Sequence, residues 1–242
     1  MNLAIDIGNT HMKAGWFDHH QLIELQSKTD IAELSARMHQ HPPDRIIVSS
    51  VSAHAQQLNK IVPASSRLVV LDGTTPLPFQ NSYHTPTTLG TDRIAAVAGA
   101  QAQFPDRNLL IIDAGTCVTY DLLTDKGCYL GGNISPGLRM RWQAMHTFTA
   151  RLPLVSVASP EASKKLAFIG KTTEEGLKSG GLVGMAAEID QIIRRYADKF
   201  AALQVVACGG DIKYLQPWLF SDHIYIPELV LIGLNSIVQY EG

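Results

Sequence analysis

The opening residues constrain the fold most. Leu3-Ala4-Ile5-Asp6-Ile7-Gly8-Asn9-Thr10 is an apolar run ending in Asp-x-Gly-Asn-Thr, with Lys13 just beyond and a second apolar run following. This reads as a buried strand, a tight turn and a strand running back, because Gly8 and Asn9 tolerate the positive φ of such a turn. A turn of this kind can aim several backbone N–H groups at one point, which suits an anion. Asp6 stands at the strand end, where a carboxylate can hold a hydrated Mg²⁺. Asn9 and Thr10 add neutral donors and Lys13 a cation. Taken alone, the stretch reads either as a phosphate-binding loop or as an ordinary hairpin with one exposed Asp.

The pattern returns at Leu109-Leu110-Ile111-Ile112-Asp113-Ala114-Gly115-Thr116. Strand, Asp, small turn and Thr recur, followed by a return strand over 118–123 and a third from Tyr129. The chain therefore contains a diverged internal repeat, and two α/β halves are expected, 1–108 and 109–242. A repeated polar turn after a buried strand has no packing rationale, so the pair favours phosphate binding by both turns.

Between the turns, the first half reads βββαβαβ. Strands are expected over 12–17 and 21–26, a helix from Asp30-Ile31-Ala32-Glu33 (a capping-box pattern) to the Pro42-Pro43 stop, a strand over 45–51, a helix over 53–62 and a strand over 67–71. Residues 72–90 read as a long proline-bearing loop, a length that is usually functional or disordered. A helix follows over 94–103. In the second half, 131–137 reads as a loop, followed by a helix to about 149 and a polar loop over 158–172. A helix over 174–200 is interrupted by Gly180-Gly181. A strand over 204–208 leads to Gly209-Gly210-Asp211 and a short helix. A short strand over 223–226 and a closing helix over 229–240 complete the chain.

Composition excludes several function classes. The formal net charge is −2 and no basic run stands out, so nucleic acid is not expected as a partner. Cys117, Cys128 and Cys208 are an odd set without C-x-x-C spacing and read as reduced, mostly buried thiols. No apolar run approaches the ~18 residues of a membrane span, and no signal-peptide pattern opens the chain. The expected compartment is the cytoplasm, with no membrane partner. Gly170-Lys171-Thr172 imitates the end of a P-loop, but Lys165 stands where that pattern needs Gly. The histidines show no metal spacing, and there is no G-x-S-x-G elbow.

Phosphoryl transfer asks a protein mainly to position donor and acceptor in line and to offset charge. The two turns would hold a polyphosphate, with Asp6 and Asp113 at cations. Asp92, in Gly90-Thr91-Asp92-Arg93, is the candidate general base. Its bland reading is a carboxylate favouring a helix N-terminus, with Thr91 as the cap. Arg93 can clamp a carboxylate with its fork, or be a solvated surface charge. Gly209-Gly210 can admit a nucleoside close to the backbone, or form a plain β–α turn. Gly180-Gly181 inside a helical pattern suggests close approach of a neighbour.

These pieces, in order along nearly the whole chain, resemble the actin/hexokinase/Hsp70 superfamily and, more narrowly, the type III pantothenate kinases. The resemblance rests on Asp6-Ile7-Gly8-Asn9-Thr10 with Lys13, Tyr83 with Leu89-Gly90-Thr91-Asp92-Arg93, and Asp113-Ala114-Gly115-Thr116. It continues through Gly131-Gly132, Pro136-Gly137-Leu138, Gly170-Lys171-Thr172-Thr173, Gly209-Gly210-Asp211 and Leu229-Val230-Leu231-Ile232-Gly233-Leu234. It implies two ribonuclease-H-like (actin-like ATPase) domains, each a mixed sheet of βββαβα-type order, with a cleft between them. It implies ATP-dependent phosphorylation of pantothenate to 4'-phosphopantothenate, the first step of coenzyme A biosynthesis. A homodimer using Mg²⁺ with ATP and a monovalent cation, K⁺ or NH₄⁺, is also implied. By the same resemblance, Asp6, Ile7, Gly8, Asn9, Thr10, His11, Met12 and Lys13 form the first ATP phosphate loop, and Thr116 meets the phosphates. Asp92 accepts the proton. Tyr83, Gly90, Thr91, Asp92, Arg93 and Thr173 meet pantothenate. Asp113 binds the monovalent cation, and Asp6 binds Mg²⁺ through water. Cys208 departs from a usual Thr, and Cys117 from a common Ala. The rival readings are a same-fold kinase or phosphohydrolase for another small molecule, and a non-catalytic regulatory protein that retains the fold.

Overall fold

The computed structural model describes residues 1–8, 12–50 and 58–241. The helix expected over 53–62 falls largely outside them. The element order is β1 (Asn2–Ile7), β2 (Met12–Asp18), β3 (Gln21–Ser27), α1 (Ile31–Gln40), β4 (Arg45–Ser50), β5 (Arg67–Val70), β6 (Gln80–Asn81) and α2 (Thr91–Gln103). It continues with β7 (Leu109–Ala114), β8 (Cys117–Leu123), β9 (Cys128–Pro136), α3 (Leu138–Thr147), α4 (Pro160–Lys164), α5 (Thr173–Ala197), β10 (Gln204–Cys208), α6 (Ile212–Leu215), β11 (Ile224–Tyr225) and α7 (Leu229–Tyr240). The chain gathers into two compact units. One comprises Met1–Arg107, Leu123–Gly131 and Glu228–Gly242, the other Asn108–Leu122 and Gly132–Pro227.

In the first unit the meander β1–β2–β3 is antiparallel, and β4 and β5 add in parallel beyond β1, giving the order β3-β2-β1-β4-β5. Side chains alternate across a strand. Leu3, Ile5 and Ile7 of β1 therefore join Trp16, Leu34 and Met38 in one apolar core. Asn2, Ala4 and Asp6 point to the other face, where Asn2 Nδ2 donates to Asn235 Oδ1 of α7 at 3.0 Å. Helices α2 and α7 pack together by bare backbone. A Cβ on Gly233 would lie 1.7 Å from the Ala95 carbonyl oxygen, and one on Gly99 2.2 Å from that of Leu229. Helix α1 begins as the capping box predicts, with Asp30 accepting the Glu33 N–H at 2.8 Å. The 72–90 loop contains β6, which runs parallel to the start of β9 through Gln80↔Cys128 and Asn81↔Tyr129.

In the second unit the strand order is β11-β10-β7-β8-β9, with β7, β10 and β11 mutually parallel. The core joins Leu110 and Ile112 of β7 to Trp142 of α3 and to Leu182, Met185 and Ile189 of α5. Three segments differ from the sequence expectation. The 131–137 loop is strand as far as Pro136. Its glycines are there for clearance, since a Cβ on Gly132 would lie 1.6 Å from the Tyr120 carbonyl oxygen. The 158–172 segment holds the short helix α4, capped by Ser159, whose hydroxyl accepts the Ala162 N–H at 3.2 Å. Helix α5 runs unbroken through Gly180-Gly181. Gly181 faces the Trp142 indole, whose Nε1 lies 2.3 Å from where a Cβ would stand. Among the described residues no helix is long and apolar enough to cross a membrane.

Candidate active site

Strand β1 delivers Asp6 to its C-terminal end, and sheet register fixes its neighbours. Lys13 of β2 lies opposite on one side and Ser49 of β4 on the other. Directly paired residues share a face, so Lys13, Asp6 and Ser49 form a row across three strands. Ser49 Oγ lies 2.9 Å from Thr91 Oγ1, the first residue of α2. The row therefore ends on the helix that carries Asp92. Burial pushes the Asp6 carboxyl up to about 6, against the pull of Lys13, and the Asp92 carboxylate raises it further. Asn9, Thr10 and His11 lie outside the described residues. Ile7 is buried, Gly8 is exposed, and Met12 pairs with Ile7 across the hairpin.

The start of α2 differs from the cap expected. Gly90, not Thr91, is the N-cap, and no side chain caps the helix. The Thr91 hydroxyl instead pairs with that of Ser49. Asp92 Oδ1 accepts the Arg93 N–H at 2.8 Å. Arg93 is not a solvated charge: it is 6% exposed, and its guanidinium carbon sits 5.7 Å from the centroid of the Tyr83 ring. A cation over an aromatic face is held by the ring quadrupole. Tyr83 in turn stacks on Tyr129 at 6.2 Å and lies against Gly131, where a Cβ would stand 3.2 Å from the ring. Gly131 adopts φ +94°, a conformation glycine tolerates at no steric cost. Two groups of expected site residues thus come together in the first unit. One is Asp6, Lys13, Thr91 and Asp92, and the other is Tyr83 and Arg93.

In the second unit, Asp113, the penultimate residue of β7, pairs with Cys208 of β10. Gly209, at φ +88°, follows Cys208, and a Cβ there would lie 2.3 Å from the Ala114 carbonyl oxygen and 2.5 Å from Asp113 Oδ1. Asp211 closes the same junction. Its N–H donates to the Ala114 carbonyl at 2.9 Å, and its Oδ2 accepts the Leu138 N–H at 3.2 Å. Burial raises the Asp211 carboxyl, and the Leu138 N–H lowers it. On the other side of the Gly115-Thr116 turn, the Gly137 N–H donates to the Thr116 carbonyl at 3.2 Å. The second turn is therefore braced from both sides, by the Asp211 N–H on the Ala114 carbonyl and the Gly137 N–H on the Thr116 carbonyl.

Thr173 is the first residue of α5 and is exposed. The neighbouring Thr172 hydroxyl is committed to the cap, accepting the Glu175 N–H at 3.2 Å. Ser49 was not anticipated. A serine inside the apolar run Ile46-Ile47-Val48 was the available signal, since a buried hydroxyl needs a partner.

Comparison with known proteins finds relatives along nearly the whole chain. A sequence profile of the family described as Type III pantothenate kinase matches residues 2–195. A Type III pantothenate kinase of Christiangramia forsetii is 42% identical over 244 residues, covering 99% of this chain and 98% of that protein. Among solved structures, a Campylobacter jejuni protein classed with Baf family transcriptional activators superposes with TM-score 0.62 at 22% identity, covering 98% of both chains. A ROK hexokinase from Thermus thermophilus superposes with TM-score 0.50 at 12% identity, covering 97% of both. At those identities the structures show the shared fold alone, an actin-like α/β architecture of two domains.

Proposed function

The chain belongs to the type III pantothenate kinase family, and we propose that Asp92 is the base through which it moves the γ-phosphoryl group of ATP to the pantothenate hydroxyl. The observation carrying this reading is the row Lys13–Asp6–Ser49 at the end of one sheet, hydrogen-bonded through Ser49 to Thr91 in the helix turn that carries Asp92. A phosphate-facing cation and carboxylate beside an acceptor-side carboxylate is what in-line transfer between two anionic substrates needs. A pure interaction module has no use for that arrangement.

The roles divide as follows. The Asp6 to Lys13 segment holds ATP phosphates, with the Lys13 ammonium offsetting their charge. Asp92 takes the proton of the attacking hydroxyl. Thr91 and Gly90 line its approach. Arg93, fixed over Tyr83, presents its fork to the pantothenate carboxylate, and Thr173 adds a hydroxyl. In the second unit Thr116 meets the phosphates from the braced turn.

Mg²⁺ carried with ATP fits Asp6. Among the described residues no three His, Cys, Asp or Glu side chains gather into a metal cage. Mg²⁺ is commonly held by substrate phosphates, water and one or two carboxylates, and Asp6 would supply one of these. When bound, it neutralises phosphate charge. Asp113 suits a monovalent cation, K⁺ or NH₄⁺, because Gly209 leaves bare backbone where a Cβ would crowd its carboxylate. A cytoplasmic homodimer completes the reading. The three cysteines, Cys117, Cys128 and Cys208, form no disulfide with one another, in keeping with a reducing compartment. Exposed apolar side chains in the second unit, Phe148 at 84% and Ile169 at 73%, are in keeping with a partner.

The test is Asp92→Asn, assayed for 4'-phosphopantothenate by mass spectrometry. A positioned base is worth about 10²–10⁴-fold, so product formation should fall by at least about 10²-fold with the thermal midpoint preserved. A variant as active as wild type would remove Asp92 from the chemistry.

A further inference from the structure

Ser49 is 1% exposed in a strand whose neighbours Ile46, Ile47 and Val48 are fully buried. A hydroxyl in such a place costs desolvation unless it is hydrogen-bonded. Its partner is Thr91 Oγ1 at 2.9 Å. Two further observations give that bond a purpose. The N-cap of α2, Gly90, offers no side-chain cap, so the first turn lacks the usual anchor. And Ser49 lies in register with Asp6, which lies in register with Lys13. The hydroxyl pair therefore joins the phosphate end of the sheet to the helix turn that carries Asp92.

We propose that Ser49 is a positioning residue for phosphoryl transfer, holding Thr91 and the first turn of α2 so that Asp92 is fixed against the Lys13–Asp6 end of the sheet. The inference rests on the kinase reading above. Each hydroxyl has one proton to give and two lone pairs to offer. When Ser49 donates to Thr91, the Thr91 proton is left to point at a substrate oxygen. Ser49 touches no substrate in this scheme and acts only through Thr91. Small misplacements of a reacting group are costly in rate, which is why a remote hydroxyl can matter.

The test is a double-mutant cycle under steady state, with ATP, pantothenate and Mg²⁺, using Ser49→Ala, Thr91→Val and the double variant. Ser49→Ala should lower kcat about tenfold while KM for ATP stays within about twofold, since the phosphate loop is untouched. In the Thr91→Val background the same change should cost less than about twofold, because the bond is already gone. A kcat within twofold of wild type for Ser49→Ala overturns the inference. So does an equal loss in both backgrounds, or a loss that merely follows a lower thermal midpoint. Ser49→Cys, which keeps the volume with a weak donor, serves the same comparison should the alanine variant not fold. Wild-type turnover is the control. If wild type is inert toward pantothenate the kinase reading fails, whereas an active wild type with an indifferent Ser49→Ala overturns only the role of Ser49.

Discussion

Burial pushes the Asp6 carboxyl from 3.8 up to about 6, and this has a consequence for stability. Between those values the native state holds a proton that the unfolded state has lost. Stability therefore falls as pH rises from the unfolded value through the folded value of about 6, and levels off roughly one pH unit above it. Asp6→Asn carries no charge at any pH, so without nucleotide it should be more stable than wild type at pH 7.5. The shift corresponds to about 3 kcal/mol, and partial exposure of the group brings the expected gain to about 1–3 kcal/mol. The gain should vanish near pH 4. Thermal melts at the two pH values check this, and an equal difference at both would show that Asp6 is not strained by burial. The same carboxylate that costs stability is the one expected at the phosphates, a trade common at functional sites.

Elements were legible in the sequence where local chemistry and tertiary packing agree. The β1–β2–β3 meander follows from alternation and from turn residues, and α1 from its capping box. Sequence and structure part company where glycine reads as a breaker. Gly131-Gly132 looked like a loop, yet β9 passes through it because Tyr83 and Tyr120 leave no room for side chains. Gly180-Gly181 looked like an interruption, yet α5 is continuous because neighbours on both sides favour helix. The two glycines also differ from each other. A Cβ on Gly180 would meet nothing within 4 Å, whereas one on Gly181 would strike the Trp142 indole, whose N–H is donated to Leu177 O at 2.9 Å. Gly180→Ala should therefore stabilise by about 0.5–1 kcal/mol through helix propensity. Gly181→Ala should destabilise by about 1–3 kcal/mol through overpacking. Denaturant titration of the pair separates the effects, and a Gly181→Ala variant as stable as wild type would contradict the packing.

At the scale of the whole molecule, the chain order and the packing order diverge. The repeat in the sequence restarts near Leu109, while the closing helix α7 packs with α2 in the first compact unit. Sequence periodicity identifies α7 as a helix but carries no address for it. The address comes from long-range contacts such as Gly99 against Leu229 and Arg45 Nη1 donating to the Val238 carbonyl at 2.9 Å. A chain ending at Pro227 would lose Leu229, Leu231, Leu234, Ile237 and Val238 from that core. It should fail to order the first unit, with amide protection lost across β1 and α2. Protection retained there would show that α7 is dispensable. The candidate site was legible to a similar degree. Both Asp turns and the Gly90–Arg93 segment could be named from sequence. The buried setting of Arg93 and the Ser49–Thr91 bond could not, because each depends on which strand lies next to which.

The claim that joins these scales is phosphoryl transfer from ATP to pantothenate, and one measurement addresses it directly. Purified protein is given ATP, Mg²⁺ and K⁺, and ADP release is followed with and without pantothenate, then with K⁺ exchanged for Na⁺. The expected result is ADP formation that requires pantothenate, one ADP for each pantothenate phosphorylated, and a marked loss in Na⁺. Phosphate release from ATP without an acceptor would identify a hydrolase, and no ADP under any of these conditions would contradict the enzymatic account.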